Sequence, residues 1–452
     1  MVKYNHAVCV FPYEEGHARK EYAPPLGLEY IAASMEGYVG DITLVDMRFD
    51  KDFMKYLRGD TDLVSISVNW DREKAALGAI IDRIPRDKTL VVGGRTATIY
   101  VEELFQDYPA IDVIVRGDGE EIIRELVEDV AVEDITGISY KNGTKVIHNP
   151  SRKLTSLSDN IFPLRKLRRN KYRLSFKGID LGYNIDFMAT SRGCPFSCKF
   201  CTFSKNPLGE KRPWSGRSPE SVIAELKTIE AEMIMFVDDN FAVDLERVEQ
   251  ICHLIQEEGI RKLFMLTLRL EICERPDILK KMYEAGFRIL SFGIESAKDK
   301  TLKEINKGFD ISYVRKAFQI ITKYNFHIHS FFIVGNIGEN EEDMMKISGF
   351  AKEIGTDTMD LSILRTEKYS PLNAVIKDTN GYYIGADNGI YSQKYGKKEL
   401  KRIRKRIYKR FYTPLQCLKI ARKTYSIGLF RLNSGIKGML VYLFRSLMRR
   451  NS

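Results

Sequence analysis

Three closely spaced cysteines constrain this chain more than any other feature of its sequence. Cys194, Cys198 and Cys201 have the spacing C-x3-C-x2-C, and the residues before them read Thr190-Ser191-Arg192-Gly193. This spacing closes three thiolates around one face of an iron–sulfur cube and leaves one iron without a protein ligand. An open iron is what a small molecule needs in order to be chelated and reduced at such a cluster. The alternatives are free thiols or a structural zinc site, although zinc usually takes four ligands in paired C-x2-C units.

The remaining cysteines and the composition predict a cytoplasmic protein with several domains. The total of seven cysteines is odd and lacks paired spacing outside the triad, which is typical of a reducing compartment. The N-terminus enters an apolar segment at Val8–Phe11 without the pattern of a secretory signal, and no run of about 18 apolar residues predicts a membrane span. The length of 452 residues predicts about three domains. The cysteines outside the triad are interpreted as small buried apolar residues: Cys9, Cys252, Cys273 and Cys417.

The first third of the sequence alternates apolar strands with amphipathic helices. Strands are predicted around residues 8–11, 42–46, 63–68, 89–94 and 113–120, and the last of these opens into a helix. This alternation predicts a doubly wound parallel sheet over residues 1–150, whose ligands bind outside the carboxyl ends of the strands. Small residues, which let the backbone approach a large ligand, are frequent in the loops at those ends: Gly27, Ser65, Ser67, Gly93, Gly94, Gly117 and Gly119.

A second alternation of strands and helices begins near residue 186. The polar and basic stretch over 151–185 is predicted to be a linker that crosses onto the next domain. Ser218 and Pro219 predict the start of a helix, as an N-cap and as the first helical residue. Strands are predicted at 187–190, 233–237, 264–268, 289–296, 330–335 and 358–364, and several of them end in polar residues.

Positive charge is concentrated at the C-terminal end of the sequence. Residues 391–452 contain 18 Lys or Arg and one acidic residue, a net charge of +17, which leaves about −7 for the rest of a chain whose total is +10. Nine of the fourteen residues in 397–410 are basic and are interleaved with apolar residues at helical spacing, and a second apolar stripe runs through 436–447. We expect a basic helical region over 386–452 that packs on the preceding domain. A dock for an acidic partner, an RNA contact and an interfacial membrane helix are alternatives.

The cysteine motif and the strand ends after it resemble those of the radical S-adenosylmethionine (SAM) superfamily. The resemblance implies a partial (β/α)6 barrel over 186–385, with a [4Fe-4S] cluster on the three cysteines and SAM at the open iron. It implies that Asp238, Asp239 and Asn240 accept hydrogen bonds from the SAM ammonium, that Arg269 pairs with its carboxylate, that Glu295, followed by Ser296, holds the ribose, and that Ile333 and Gly335 pass the adenine. The family usually continues with Leu-Pro-Gly after that last glycine, whereas Asn336-Ile337-Gly338 stands here.

The N-terminal region resembles the cobalamin-binding domain that is fused to many radical SAM enzymes. The resemblance lies in Pro24–Leu28, in Val92–Gly94 and in Val115–Glu121. The D-x-H-x-x-G string that ligates cobalt from below is absent, and Asp46-Met47-Arg48 lies near the equivalent loop. The implied cofactor is therefore base-off cobalamin without a histidine ligand; the alternative is a domain that has lost its cofactor. The implied cobalamin residues are Pro25, Leu26, Gly27, Asp46, Ser65, Ser67, Gly93, Gly94, Arg116, Gly117, Gly119 and Glu120.

Together these resemblances cover roughly residues 5–370 and imply a cobalamin-dependent radical SAM C-methyltransferase. Such an enzyme moves a methyl group from SAM, through methylcobalamin, to an unactivated carbon, and needs an electron donor such as a ferredoxin or flavodoxin. The basic tail suits a peptide or protein substrate, as in the C-methylation of a glutamine in methyl-coenzyme M reductase. The rival hypotheses are radical SAM cyclisation, ring rearrangement or carbon–carbon coupling on a small molecule or lipid, and a non-enzymatic iron–sulfur or RNA-binding protein.

Overall fold

The computed structural model describes residues 3–13, 23–154, 156–176, 179–201, 205 and 208–429. The chain divides into two compact units, the first made of Met1–Tyr172 with Lys205–Lys211 and the second of Arg173–Ser204 with Arg212–Ser452. Within the described ranges, no helix combines the length and the apolar character needed to cross a membrane. The apolar stripe predicted over 436–447 lies outside the described residues.

The first unit contains the doubly wound sheet that its sequence pattern predicts. Its seven strands follow the order β2-β1-β3-β4-β5-β6-β7, in which β1 to β5 are parallel and β6 and β7 are antiparallel additions. The order reverses between β1 and β3, so the switch point lies between these two strands. The elements are β1 (Tyr4–Phe11), α1 (Leu26–Met35), β2 (Val39–Asp46), β3 (Thr61–Ser67), α2 (Asp71–Ile81), β4 (Thr89–Gly93), α3 (Arg95–Ile99), α4 (Val101–Asp107), β5 (Val113–Val115), α5 (Glu120–Val127), β6 (Ile138–Asn142) and β7 (Lys145–His148).

Apolar layers cover both faces of this sheet, which is why its strands read as nearly continuous apolar runs. In β1, Val8 and Val10 belong to one buried cluster, whereas Ala7 and Cys9 belong to another. Successive side chains of a strand point to opposite faces, and each face here carries its own core. The confirmed architecture places the carboxyl ends of five parallel strands along one edge of the sheet.

The second unit is built on six parallel strands with one antiparallel strand at the edge. Its sheet has the order β16-β15-β14-β13-β12-β9-β8, and the parallel set from β9 to β16 confirms the predicted partial barrel. The elements are β8 (Arg173–Phe176), β9 (Ile179–Met188), β10 (Ser191–Arg192), β11 (Ser215–Gly216), α6 (Pro219–Thr228), β12 (Met233–Phe236), α7 (Leu245–Glu257), β13 (Leu263–Leu268), α8 (Pro276–Glu284), β14 (Phe287–Glu295), α9 (Asp299–Glu304), α10 (Ile311–Ile321), β15 (His327–Val334), α11 (Glu341–Glu353), β16 (Thr358–Ile363), α12 (Leu372–Lys377), β17 (Tyr382–Ile384), β18 (Ile390–Ser392), α13 (Lys397–Phe411) and α14 (Pro414–Ser426).

Two strands of the second sheet begin inside the stretch that was predicted to be a linker. β8 starts at Arg173 and β9 at Ile179, and Tyr183 and Ile185 of β9 are buried. The sequence alternates apolar and polar residues from Ile179 to Phe187, which is the period-2 signal of a strand. The high proportion of charged residues over 151–185 obscures that signal.

The basic C-terminal segment forms two helices with different surroundings. α13 buries one apolar face, made of Leu400, Ile403, Ile407 and Phe411, as its helical spacing predicts. α14 has no buried side chain, and its Cys417 is exposed. The interpretation of Cys417 as a buried apolar residue is therefore wrong, because the helix that carries it has no face in the core.

Candidate active site

The cysteine loop follows β9 at the carboxyl end of the parallel strands. Cys198 is buried, Cys194 and Cys201 are half-buried, and all three are free thiols. The Cys201 amide donates to the Cys198 carbonyl at 3.1 Å, so the last two cysteines share one turn. Within the residues that the structure describes, no three His, Cys, Asp or Glu side chains are arranged as a set of metal ligands. The chemistry of the donor set nevertheless fits an iron–sulfur cluster, because three thiols with the spacing C-x3-C-x2-C lie in one loop that follows β9.

The cysteine loop begins at a glycine whose replacement by any other residue would cause a steric clash. Gly193 has φ +86°, and a Cβ atom there would lie 2.5 Å from the Pro213 carbonyl oxygen. Burial is the main cause that raises the pKa of the Cys194 thiol, and the nearby Cys198 adds to it, whereas a hydrogen bond from the Phe196 amide opposes it. Burial therefore favours the protonated form of the Cys194 thiol.

The polar residues at the end of β12 hold the start of the cysteine loop. Asp238 Oδ1 accepts from the Thr190 amide at 2.7 Å, and Oδ2 accepts from the Thr190 and Ser191 hydroxyls at 2.5 and 2.7 Å. Asp239 Oδ2 accepts from the Gly193 amide at 2.8 Å. Burial raises the pKa of both carboxyls. Both carboxylates therefore serve the loop itself, and Asp238 has both oxygens engaged there.

Asn240 differs from Asp238 because its side-chain oxygen accepts no hydrogen bond from the described residues. The side chain is 3% exposed, and Oδ1 is buried without a hydrogen-bond partner among the described residues. A buried polar atom without a partner costs about 1–3 kcal/mol, so such an atom in a cleft is usually completed by a ligand or water. Among the three residues predicted to meet the SAM ammonium, Asn240 is therefore the one whose side-chain oxygen is both buried and without a partner in the described structure.

Arg269 contacts the cysteine loop. Its guanidinium lies 3.7 Å from the centre of the Phe196 ring, and Nη1 approaches Cys198 Sγ at 3.7 Å. Nη2 donates to Glu271 Oε1 at 2.8 Å and to the Lys307 carbonyl at 2.7 Å. The structure therefore places this arginine against a predicted cluster ligand, with several of its donors already used.

Glu295 stands at the end of β14 in an unusual backbone conformation. Its φ of +71° is left-handed, which is rare for a residue with a side chain, and a register shift in the β14–β15 pairing accompanies it. Glu295 Oε1 accepts from Lys307 Nζ at 2.9 Å, and both side chains are buried. A Cβ atom at Gly293 would lie 2.3 Å from Glu295 Oε1, so the glycine makes room for this ion pair.

The end of β15 supplies a second open acceptor. Ser296 Oγ donates to Glu339 Oε1 at 2.8 Å, and Asn336 Nδ2 donates to Glu339 Oε2 at 3.0 Å. Asn336 Oδ1 is buried without a hydrogen-bond partner among the described residues. Ile333 packs in an apolar cluster, and a Cβ atom at Gly335 would lie 2.7 Å from Leu400 of α13. Asn240 and Asn336 thus provide the open, buried acceptors that fit a polar nucleotide ligand such as SAM.

The loop after α9 was not predicted as part of the site, although it holds several of its parts together. The Ile305 carbonyl accepts from the Lys199 amide at 2.9 Å, and Asn306 Nδ2 donates to the Ser197 carbonyl at 2.9 Å. Lys307 binds Glu295 through its ammonium group and Arg269 through its carbonyl oxygen. The only signal in the sequence is Asn306-Lys307-Gly308, a turn-forming string with a basic residue.

A buried arginine network, also missed from the sequence, supports the approach to the cysteine loop. Arg217 and Glu225 form an ion pair whose side chains are both fully buried. The Arg217 amide donates to the Thr190 carbonyl at 2.9 Å, and Arg247 Nη2 donates to the same oxygen at 2.8 Å. The network therefore fixes Thr190, which lies four residues before the first cysteine.

In the first unit, the predicted cobalamin residues lie near the carboxyl ends of strands or at the starts of the helices that follow. Ser65 lies opposite Cys9 of β1 and Val91 of β4, next to the switch point. Its Oγ is buried and has no hydrogen-bond partner among the described residues. Ser67 differs, because its Oγ accepts from Asn69 Nδ2 at 2.9 Å.

Glycines line the loops after β4 and β5. Gly94 has φ +101°, and a Cβ atom there would lie 2.6 Å from the Val68 carbonyl oxygen. Gly117 has φ +92°, and its amide donates to Thr98 Oγ1 at 3.1 Å. The glycines leave the backbone of these loops uncovered by side chains, and the Ser65 hydroxyl has no partner in the described structure. Both features fit a large ligand that approaches the strand ends.

The loop near the expected lower-ligand position is closed by an ion pair. Asp46 Oδ2 accepts from Arg48 Nη2 at 2.6 Å and from the Tyr172 hydroxyl at 2.8 Å, and the Arg48 guanidinium lies 4.6 Å from the centre of the Phe11 ring. Arg116 donates to the Ile138 carbonyl at 2.9 Å and serves the fold. The other predicted cobalamin residues take separate places: Pro25, Leu26 and Gly27 at the start of α1, Gly93 at the end of β4, and Gly119 and Glu120 at the start of α5.

Both halves of this arrangement match known families. Residues 188–351 match the Radical SAM superfamily, and residues 16–127 match the B12 binding domain. The chain is 31% identical over 362 residues to an uncharacterized methyltransferase of Pyrococcus horikoshii, with 75% of each chain covered. It is 28% identical to the hopanoid C-3 methylase of Methylococcus capsulatus, over 66% of this chain and 59% of that one.

Solved structures share the fold of the chain. The radical SAM methyltransferase TsrM of Kitasatospora setae, with cobalamin and a [4Fe-4S] cluster bound, has a TM-score of 0.66 at 17% identity and covers 84% of this chain and 77% of its own. The cobalamin-dependent SAM radical enzyme OxsB, with aqua-cobalamin bound, has a TM-score of 0.67 at 17% identity, over 86% and 64%. With the thiol loop, the partial barrel and the doubly wound sheet, these matches show that the chain belongs to the cobalamin-dependent radical SAM methyltransferases, enzymes that use a [4Fe-4S] cluster, SAM and cobalamin.

Proposed function

We propose that this enzyme transfers a methyl group from SAM to an unactivated carbon of its substrate. The observation that carries the proposal is the loop of three free thiols, which Asp238 and Asp239 fix at the carboxyl end of six parallel strands. When bound, the cluster supplies the electron that cleaves SAM, and cobalamin carries the methyl group. The protein's own contribution is to bind these groups, orient them and exclude water.

We assign the cluster to Cys194, Cys198 and Cys201, with Arg269 as their electrostatic partner. The N–H groups of a guanidinium stay protonated, so Arg269 can donate to the Cys198 sulfur in every redox state. Its other donors go to Glu271 and Lys307, which supports this role over the predicted pairing with the SAM carboxylate. An electron donor such as a ferredoxin or flavodoxin is the partner that this proposal requires.

We assign SAM to the open acceptors and to the strained glutamate beside them. Asn240 offers its amide oxygen to the ammonium, and Asn336 offers its own to the nucleoside. Glu295 offers its carboxylate to the ribose hydroxyls, and Lys307 holds it in place through their ion pair. Asp238 and Asp239 act indirectly, because they position the cysteine loop.

We assign cobalamin to the glycine loops and to Ser65 in the first unit. Ser65 would donate its hydroxyl to a polar group of the cofactor, and Gly94 and Gly117 would let the backbone approach it. Arg48 cannot replace a histidine below the cobalt, because its guanidinium remains protonated and is paired with Asp46. This supports a base-off cofactor without a protein ligand.

The first substrate class that we propose is a peptide or protein side chain, with the glutamine of methyl-coenzyme M reductase as an example. It is supported by the basic helix α13, whose outward lysines suit an acidic surface. The relatives' names favour a second class, a hydrophobic small molecule, because they include a hopanoid methylase and a bacteriochlorophyllide d methyltransferase. Other relatives are magnesium-protoporphyrin IX monomethyl ester cyclases, which keeps cyclisation as the rival reaction.

Anaerobic reconstitution with iron, sulfide and hydroxocobalamin tests the proposal. We expect retention of about one corrinoid with a base-off absorption spectrum, together with an iron–sulfur band. Cys198→Ser should remove the iron–sulfur band and SAM cleavage, whereas the buried Cys252→Ser on α7 should keep both. With substrate, methyl transfer yields S-adenosylhomocysteine and 5′-deoxyadenosine together. SAM cleavage without S-adenosylhomocysteine would contradict methyl transfer and favour the rival reaction.

A further inference from the structure

The outer surface of α13 and α14 combines a stripe of lysines with exposed apolar side chains. On α13, four lysines recur three or four residues apart and lie on the side opposite to the buried face. All four are exposed, and they form no ion pair with any residue that the structure describes: Lys398, Lys401, Lys405 and Lys409. The sequence after Glu399 contains no Asp or Glu, so no acidic residue of that segment offsets their charge.

α14 presents apolar side chains to solvent. Leu415 is 64% exposed, Leu418 66% and Tyr425 58%, which makes them the three most exposed large apolar side chains in the described part of the chain. They are three and seven residues apart and therefore share one face of the helix, where Arg422 lies between them. Exposed apolar groups of this size beside cations mark a surface that binds a partner.

Both helices are anchored beside β16, which is the edge strand of the second sheet. The Tyr408 and Tyr412 hydroxyls of α13 accept from the amides of Leu361 and Met359, at 2.9 and 3.1 Å. From α14, Gln416 Nε2 donates to the Thr356 carbonyl at 3.1 Å, just before that strand begins. Basic residues on one helix and apolar residues on the next are therefore exposed beside the same edge of the second sheet.

We propose that this surface, formed by the outer faces of α13 and α14, binds anionic phospholipid membranes. Lysines attract the headgroups over a Debye length, and leucine and tyrosine side chains then enter the interface. The lysines alone would also suit an acidic protein, whereas the exposed leucine and tyrosine side chains of α14 add the apolar groups that a lipid interface takes up. A nucleic acid would be held by the cations alone and would leave Leu415 and Leu418 in water. The membrane is thus the occupant that uses both sets of residues.

Flotation of the full-length protein with lipid vesicles tests this proposal. We expect binding to phosphatidylglycerol vesicles at low salt, loss of binding in high salt and little binding to pure phosphatidylcholine vesicles. Lys401→Glu/Lys405→Glu should weaken binding about 30-fold or more. Leu415→Ser/Leu418→Ser should weaken it about tenfold, because the apolar contact is lost. Lys316→Glu/Lys323→Glu, which changes two exposed lysines elsewhere in the second unit, serves as the matched control and should bind as the wild type does.

Several outcomes would overturn the proposal. These are absence of wild-type binding to phosphatidylglycerol at low salt, unchanged binding in the leucine variant, or tighter binding to a short RNA duplex than to the vesicles. Circular dichroism and bound iron and corrinoid are measured for each variant, because the substituted residues are exposed and should leave all three unchanged. Loss of cofactors in the wild type would count against the proposed function, whereas loss of vesicle binding alone would count only against the membrane surface.

Discussion

At the scale of single residues, Arg269 gives the sharpest prediction about the proposed cluster. Arg269→Lys removes the planar stack on Phe196 and the donor to Cys198 Sγ but keeps the positive charge. A donor to a cysteine sulfur stabilises the reduced, more negative cluster, so its loss should lower the reduction potential. The expected fall is about 59 mV for each ~1.4 kcal/mol of lost stabilisation.

Redox titration followed by electron paramagnetic resonance measures this change. Iron content should stay at the wild-type value, because the three thiols are untouched. Arg275→Lys is the matched control, since Arg275 is an exposed arginine that pairs with Asp277. An unchanged potential in Arg269→Lys would leave this arginine a purely structural role.

Ser65 gives a second prediction, in which stability and binding change in opposite directions. Ser65→Ala removes a buried hydroxyl that has no partner in the described structure, so the cofactor-free protein should become more stable by about 1 kcal/mol or more. The same variant should bind corrinoid several-fold more weakly, because the hydroxyl is the group proposed to meet the cofactor. Urea unfolding and corrinoid titration measure the two effects. Equal weakening by Ser67→Ala, whose hydroxyl already accepts from Asn69, would contradict the assignment.

The residue scale also shows where sequence reasoning stops. The sequence pattern singles out Asp238 and Glu295 because each follows an apolar strand, and the structure places both at strand ends. What the pattern does not contain is the partner of each group. Asp238 accepts a hydrogen bond from Thr190, which lies 48 residues earlier in the sequence. Glu295 accepts one from Lys307, which lies in the loop after α9. Hydrogen-bond partners depend on the packed fold, so a linear pattern cannot tell a loop support from a ligand contact.

At the scale of elements, α13 closes the open edge of the second sheet. β16 is an edge strand, whose backbone groups would otherwise face solvent. Arg404, Tyr408 and Tyr412 lie one helical turn apart and reach the Leu361 and Met359 backbone. The apolar period of α13 was predicted from the sequence, but this polar contact was not, because it lies on a different face of the same helix.

This contact predicts a measurable loss of protection in β16. Tyr408→Phe/Tyr412→Phe removes the hydroxyls that accept from two strand amides and should cost about 1 kcal/mol for each hydrogen bond. Hydrogen exchange at the Leu361 and Met359 amides should accelerate, whereas the amides of β12 in the sheet interior should not change. The exposed Tyr425→Phe is the control. Uniform acceleration through the whole sheet would indicate global destabilisation instead.

At the scale of the whole molecule, the stability of the second unit should fall in mild acid. His327 Nε2 and His329 Nδ1 both hydrogen-bond Thr358 Oγ1, at 2.9 and 2.8 Å, and Lys423 of α14 pairs with Asp357, the residue before Thr358. Burial, then Lys423 and His329, lower the pKa of His327 from 6.5 to about 3. Since the folded state holds this imidazole neutral, its contribution is full above pH 6.5 and is lost progressively as the pH falls toward 3.

Urea unfolding between pH 7.5 and 4.5 measures this dependence. Trp214 lies in the second unit and Trp70 in the first, so a Trp70→Phe background makes the fluorescence report the second unit. His327→Gln should flatten the pH dependence, whereas the exposed His253→Gln should not. A pH dependence that is unchanged in His327→Gln would assign the acid sensitivity to another group.

Most of the architecture of the two sheets could be predicted from the sequence. Two runs of alternating strands and helices predicted both sheets, because parallel strands buried on two faces leave long apolar runs. β8 and the first half of β9 were missed, since their alternation lies within a charged stretch. The pairing of β16 with a helix rather than a strand was also missed, because strand order is set by tertiary packing.

The closure of β16 by tyrosine hydroxyls has a consequence for self-association. A chain that ends before Lys397 would keep every strand of the second sheet but would uncover the amides of Met359 and Leu361. Two such edges can pair with each other and extend the sheet from one molecule into the next. The shortened protein is therefore expected to dimerise or aggregate through β16. In the full chain, α13 thus protects this strand edge from pairing with another molecule.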